Sequence, residues 1–201
     1  MMRGFYFITD GDLSLRGNEA DVALAARSGC ALIQYRAKRK GGRELFEEAA
    51  RLKALSAGVP FIVNDRLDIA LAVGAAGVHL GQGDVPLKDA RRLLGTDAII
   101  GVSVSSAQEA LEAERSGANY LGVGPIFPTG TKTDASLAIG LEGLARIRKA
   151  TSLPLAAIGG IDLCRAASCA RLGADMVCAI SATVAQAEPE KTIREFQGIF
   201  I

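Results

Sequence analysis

Residues 61–84 read Phe-Ile-Val-Asn-Asp-Arg-Leu-Asp-Ile-Ala-Leu-Ala-Val-Gly-Ala-Ala-Gly-Val-His-Leu-Gly-Gln-Gly-Asp. Residues 60–63 form a short apolar, β-favouring run that stops at the polar pair Asn64-Asp65. Leu67, Ala70, Leu71 and Val73 then recur at near-helical spacing until Gly74 and Gly77 break the pattern. A second short strand, Val78-His79-Leu80, gives way to Gly81-Gln82-Gly83-Asp84. Two parallel strands joined by one helix lie close together in a sheet, with their C-terminal ends pointing the same way. Asp65 and Asp84 are therefore expected to face one another across a single mouth. Two carboxylates beside glycine-rich backbone suit a hard cation such as Mg²⁺ holding a phosphate ester. The plainer alternative is that Asp65 caps the following helix and Asp84 sits in a turn ahead of Pro86.

The same strand–helix unit recurs along the chain. Strands are predicted over residues 5–8, 31–35, 98–104, 120–123, 155–158 and 176–180, in addition to the two in the quoted stretch. Helices are predicted over 19–27, 43–55, 87–94, 107–115, 141–150, 163–172 and 189–196, the last as the eighth helix. Ser28-Gly29-Cys30, Val73-Gly74-Ala75, Ser116-Gly117-Ala118 and Leu172-Gly173-Ala174 each close a helix just before a strand. Glycine there permits the left-handed cap that turns the chain back into a sheet. Eight units in 201 residues leave about 25 residues each, compact for an α/β (β/α)₈ TIM barrel, which typically takes about 250. The expectation is one barrel domain over residues 1–201, with short loops. An open doubly wound sheet is the alternative; the count of eight and the polar residues at nearly every strand end favour the barrel.

Composition narrows the partners. The chain is 49% hydrophobic and carries 23 basic against 22 acidic residues, a net charge of +1. That is enough apolar surface for a sizeable core, and the balance argues against a nucleic-acid or membrane surface. No apolar run is long enough to span a bilayer, and the start of the chain lacks a signal-peptide pattern. Cys30, Cys164, Cys169 and Cys178 show no metal-ligand spacing; they read as buried thiols of a reducing compartment, hence a cytoplasmic protein. His79 is the only histidine, which excludes a multi-histidine metal site. Its place inside a strand favours a packed core residue over a catalyst.

In a barrel the chemistry sits on the loops after the strands. Those positions hold Gln34, Arg36 and Lys38, then Asn64 and Asp65, Gln82 and Asp84, Ser103 and Ser105. Thr129, Thr131 and Lys132 follow, then Gly159-Gly160 and Ser181. Cations, hydroxyls and glycines outnumber groups suited to proton transfer, a set for binding phosphate. Alternation in Gln34-Tyr35-Arg36-Ala37-Lys38 puts Gln34, Arg36 and Lys38 on one side, although Arg39, Lys40 and Arg43 also allow a solvated basic run. Gly159-Gly160 after the seventh strand suits backbone capture of a phosphate. The Gly- and Pro-rich stretch 124–140 reads as a lid or as an ordinary surface loop. Two anion sites result: a diphosphate held with Mg²⁺ by units two to four, and a monophosphate by units seven and eight.

Seven motifs carry a family resemblance. They are Gln34-x-Arg36-x-Lys38, Asn64-Asp65-Arg66, Gly77-Val78-His79-Leu80-Gly81-Gln82-x-Asp84 and Gly101-x-Ser103. Gly124-Pro125-x-Phe127-x-Thr129-x-Thr131-Lys132, Gly159-Gly160-Ile161 and Ile180-Ser181-Ala182 complete the set. In this order, over essentially the whole chain, they resemble the thiamine phosphate synthase family. The resemblance implies a barrel that couples a pyrimidine diphosphate to a thiazole phosphate by a dissociative substitution, releasing diphosphate. It implies that Gln34, Arg36, Lys38, Asn64, Ser103 and Lys132 bind the pyrimidine diphosphate, with Arg36, Lys38, Ser103 and Lys132 as the catalytic set. Asp65 and Asp84 would hold Mg²⁺, and Thr129, Thr131, Gly160, Ile180 and Ser181 the thiazole phosphate. The partners are then small phosphorylated molecules, and the resemblance further implies a homodimer.

Two departures from the family pattern stand out. Ser105 replaces a histidine usual two residues after Ser103, and the sequence begins almost at the first strand. Thiazole tautomerases share the fold and most motifs and use that histidine for proton transfer, so Ser105 weighs against that alternative. A non-catalytic barrel binding thiamine precursors is the third reading, and the intact Arg36, Lys38, Asp65, Asp84 and Lys132 set weighs against it.

Overall fold

The structure, a computed structural model, describes residues 2–130 and 137–201. The eight strands are β1 (Gly4–Ile8), β2 (Leu32–Tyr35), β3 (Phe61–Asn64), β4 (Gly77–Leu80), β5 (Ile99–Val104), β6 (Tyr120–Val123), β7 (Leu155–Ile158) and β8 (Met176–Cys178). All are parallel and close in sequence order into a barrel, β8 pairing back onto β1. Between them run α1 (Asn18–Arg27), α2 (Gly42–Leu55), α3 (Leu67–Ala72), α4 (Leu87–Leu94), α5 (Ala107–Arg115), α6 (Gly140–Ala150) and α7 (Leu163–Arg171). After β8 come α8 (Ser181–Val184) and α9 (Pro189–Gly198).

The eightfold expectation holds, with one correction. The eighth strand stops at Cys178 instead of continuing to Ile180, and a four-residue helix begins at Ser181. The helix expected as the eighth is therefore the ninth. With four residues and no side-chain cap, α8 is too short to leave a periodic signal in sequence.

Strand alternation sorts the core into two parts. Tyr6, Ile8, Leu32, Ile62, Tyr120, Ala156, Met176 and Cys178 pack together inside the barrel. Their neighbours, among them Phe5, Phe7, Ile33, Val63, Val78, Ile100, Leu121 and Val177, point outward against the helices. The strands are thus apolar on both faces, as sheets covered by βαβ crossovers require. Cys30, Cys169 and Cys178 are buried, but Cys164 is exposed, against the expectation of four buried thiols. It falls on the outward side of α7, where the alanine-rich helical pattern of 163–171 conceals the direction it faces.

Candidate active site

The strand C-termini open onto a cavity of about 790 Å³, within the range usual for small-molecule sites. Its floor is a chain of hydrogen-bonded polar side chains. Gln34 Nε2 donates to the Tyr6 hydroxyl at 2.5 Å, and the Tyr6 and Tyr120 hydroxyls are 2.6 Å apart. Tyr120 meets His79 Nδ1 at 2.9 Å, and His79 Nε2 meets Ser103 Oγ at 2.9 Å. With Gln34 donating, every buried donor is used when the chain runs Gln34 to Tyr6 to Tyr120 to His79 to Ser103, with the imidazole proton on Nε2. Ser103 is then left with a hydroxyl proton to offer to a molecule in the cavity. Burial pushes the Tyr6 and Tyr120 phenols, and the Cys178 thiol, well above their ordinary ranges. None of the three ionises near neutral pH.

Small residues make room for this floor. A Cβ on Gly101 would lie 2.0 Å from the Tyr120 ring, and one on Gly122 would lie 2.9 Å from the His79 ring. The glycines of β5 and β6 are therefore the sockets for Tyr120 and His79.

The charged groups sit above, at the rim. Arg36 lines the cavity just past β2; its backbone N–H donates to Thr9 Oγ1 at 2.9 Å, and its guanidinium is 3.8 Å from Asp10. Behind this loop, Glu48 of α2 accepts from Tyr35, from Asn18 at 3.0 Å and from Lys40 at 2.8 Å. Burial alone would lift the Glu48 carboxyl, but the hydrogen bonds from Lys40, Tyr35 and Asn18 outweigh it and hold the group below its usual range. Asp65 adopts φ 61°, a left-handed conformation that Asp and Asn tolerate better than most residues. Its N–H is held by His79 O at 2.9 Å. Burial, and then the neighbouring Asp84 carboxylate, push the Asp65 carboxyl up to about 6, with Lys38 and Arg36 pulling the other way. Asp84 also accepts from Gly81 N at 2.6 Å.

The expected meeting of Asp65 and Asp84 is therefore observed. The helix-cap alternative is not, since the cap position of α3 is Arg66 and no side chain caps it. Asp84 does fix its own turn, as well as meeting Asp65. The Asp84 carboxylate adds to the cost of ionising Asp65, and two carboxylates side by side are a donor set that suits a hard cation. Among the described residues no group of three or more His, Cys, Asp or Glu could hold a metal. Such an ion would take its remaining oxygens from substrate and water, as Mg²⁺ usually does.

Of the other expected residues, Gln34, Asn64, Ser103, Thr129, Gly160, Ile180 and Ser181 all line the cavity with Arg36. Lys38 is exposed, and its charge bears on Asp65 together with that of Arg36. Thr131 and Lys132 lie outside the described residues. Gly160 has φ 61°, and a Cβ there would lie 2.6 Å from Pro128 O, so the glycine turn and the 124–130 segment meet directly.

Comparison with known proteins agrees with this geometry. A family model for thiamine monophosphate synthase matches residues 5–183. The chain belongs to the thiamine monophosphate synthase family. A thiamine-phosphate synthase of Methanosarcina barkeri is 47% identical over 193 residues, covering 96% of this chain and 88% of the relative. One of Chloroflexus aurantiacus is 48% identical over 197 residues, with 96% and 91% covered. The solved thiamine phosphate pyrophosphorylase of Pyrococcus furiosus superposes with a TM-score of 0.90 at 39% identity, covering 99% of this chain and 96% of that one.

Sequence reasoning missed four parts of this family member's site. His79 is buried, as expected of a packed residue, yet it also lines the cavity, as does Tyr6. Tyr120 completes the floor beneath them. Nothing within these short strands marks the three residues, and only closure of the barrel brings them together. Arg165, on α7, is the fourth omission, and nothing about an arginine at the start of a helix marks it out.

Proposed function

We propose that this chain is a thiamine-phosphate synthase, joining 4-amino-2-methyl-5-hydroxymethylpyrimidine diphosphate to thiazole phosphate and releasing diphosphate. One observation carries the reading: a hydrogen-bonding floor of Gln34, Tyr6, Tyr120, His79 and Ser103 at the base of the cavity, with arginine and paired carboxylates at its rim. A neutral heteroaromatic ring fits the floor and its phosphates fit the rim.

Gln34, Asn64 and Ser103 orient the pyrimidine ring. Arg36 and Lys38 set positive charge where the diphosphate departs, and Lys132 is assigned to the same group from its motif. The bond from the methylene carbon to the diphosphate oxygen breaks with its electron pair staying on oxygen, and the ring's amino group spreads the charge left on carbon. The thiazole nitrogen then donates its lone pair to that carbon. Thr129, Thr131, Gly160, Ile180 and Ser181 hold the thiazole phosphate so that the nitrogen faces the carbon. Asp65 and Asp84 would hold Mg²⁺, which when bound neutralises charge on the leaving group. Positioning and preorganised electrostatics account for the rate without a general base. The barrel over residues 1–201 is read as one domain acting in the cytoplasm. Among the described residues no helix is long and apolar enough to cross a membrane.

The test is a coupling assay with both substrates, with and without Mg²⁺, following thiamine phosphate by chromatography. Metal-dependent product is expected. Folded protein that binds thiazole phosphate but forms no product would refute the reading.

A further inference from the structure

Two arginines line the described cavity, at different strand ends. Arg36 follows β2, and Arg165 lies in the first turn of α7, after β7. The reaction proposed above brings two phosphorylated molecules together, and Arg36 stands on the side of Asp65, Asp84 and Lys38. Thr129, Gly160, Ile180 and Ser181, assigned to the second phosphate, offer hydroxyls and backbone groups but no charge. A phosphate dianion leaving water needs a cation or several strong donors in exchange.

Arg165 stands where that cation is needed, and its side chain is held there. Its guanidinium carbon lies 4.8 Å above the centroid of the Phe127 ring, a cation–π arrangement that fixes the plane of the group. Its Nη1 donates to Gly160 O at 2.7 Å. Asp162 caps α7 through the Arg165 N–H at 2.8 Å, and its carboxylate lies 3.6 Å from Nε, an exposed pair worth little against a phosphate. Among the described residues nothing accepts a hydrogen bond from Nη2. The stack joins the glycine turn after β7 to the base of the 124–130 segment, so the cation and the backbone of Gly160 are presented to one point.

We propose that Arg165 binds the phosphate of the second substrate, with Phe127 as the platform that orients its guanidinium. The inference rests on the synthase reading, and it assigns to Arg165 the recognition of phosphate as distinct from the thiazole ring.

The experiment is calorimetric titration of thiazole phosphate, and of the unphosphorylated thiazole alcohol, into wild type, Arg165→Gln and Arg165→Lys. The coupling assay runs in parallel on the same preparations. Arg165 is half exposed and its loss opens no core, so circular dichroism and melting are expected to match wild type. Loss of a charge-assisted hydrogen bond predicts a ~10- to 30-fold weaker Kd for thiazole phosphate in Arg165→Gln. Arg165→Lys should lie between, because lysine keeps the charge but loses the planar fork. The alcohol should bind all three proteins alike, and the KM for the pyrimidine diphosphate should not move. Equal binding of thiazole phosphate to wild type and Arg165→Gln overturns the proposal, as does an equal loss for phosphate and alcohol. Wild type that forms thiamine phosphate while Arg165→Gln binds normally sinks this inference alone. Wild type that binds thiazole phosphate through Arg165 yet forms no product sinks the synthase reading alone.

Discussion

Replacing Asp65 with Asn removes one of two adjacent carboxylates while keeping a side chain suited to φ 61°. Without metal, the fold pays for this pair. A carboxyl lifted from 3.8 to about 6 corresponds to ~3 kcal/mol at neutral pH, which solvent around a half-exposed group screens to ~1 kcal/mol. Asp65→Asn should therefore be more stable than wild type in chelator at pH 7.5, by ~2–4 °C in Tm for a chain of this size. The sign with pH follows from linkage. Between about 4 and 6 the folded state holds a proton that the unfolded state has released, so wild-type stability falls as pH rises through that window and stays lowered above it. The gap between variant and wild type should close on acidification to pH 4.5. Added Mg²⁺ should raise the Tm of wild type and leave the variant where it was, while turnover of the variant is lost. Scanning fluorimetry at three pH values, with chelator and with Mg²⁺, measures all of this. An Asp65→Asn protein that melts below wild type in chelator, or a gap indifferent to pH, would show that burial and the Asp84 carboxylate do not strain Asp65.

Three further outcomes follow from the floor and the frame. Tyr120→Phe removes the hydroxyl that bridges Tyr6 and His79; urea unfolding should show ~1–3 kcal/mol lost, with a raised KM for the pyrimidine diphosphate. Gly101→Ala drives a methyl group into the Tyr120 ring, 2.0 Å away. It should cost ~1–3 kcal/mol and displace the floor, read as a lower Tm together with weaker pyrimidine binding. Arg91→Met, far from the cavity, removes a guanidinium that ties Gly95, Ala98 and Gly117 carbonyls to Asn119. It should lower the denaturation midpoint while leaving the KM of folded enzyme unchanged.

The residues legible in sequence were those at strand tips. Asn64 and Ser103 interrupt apolar runs just where a barrel opens, so a polar residue there is conspicuous. Gln34 and Arg36 share that advantage, and the charge of Lys38 reaches the same rim at Asp65. Tyr6 and Tyr120 have no such mark, because a tyrosine within a strand of four or five residues reads as core. Only closure of the sheet brings β1, β4 and β6 to one layer, and that depends on register between strands far apart in the chain. Arg165 was hidden for another reason. Its role depends on Phe127, in a different loop, and no spacing within 159–165 reveals that partner.

Ser105 bears on the choice between coupling and tautomerisation. Its N–H donates to Glu109 Oε2 at 2.6 Å, and its hydroxyl to the same oxygen at 3.1 Å. The proton at this position is thus directed onto a carboxylate that lines the cavity, and a serine hydroxyl does not titrate near neutral pH. Moving a proton between two carbons of a thiazole needs a group that can take it up and return it. Ser105, committed to Glu109, does neither. Coupling needs no such exchange, because the nucleophile is a nitrogen lone pair and the leaving group carries its own charge away. What the coupling does need is cationic charge at both phosphate ends and a well-hydrogen-bonded floor between them. Arg36, Arg165 and the chain from Gln34 to Ser103 supply both, and a serine at position 105 takes nothing from that reaction.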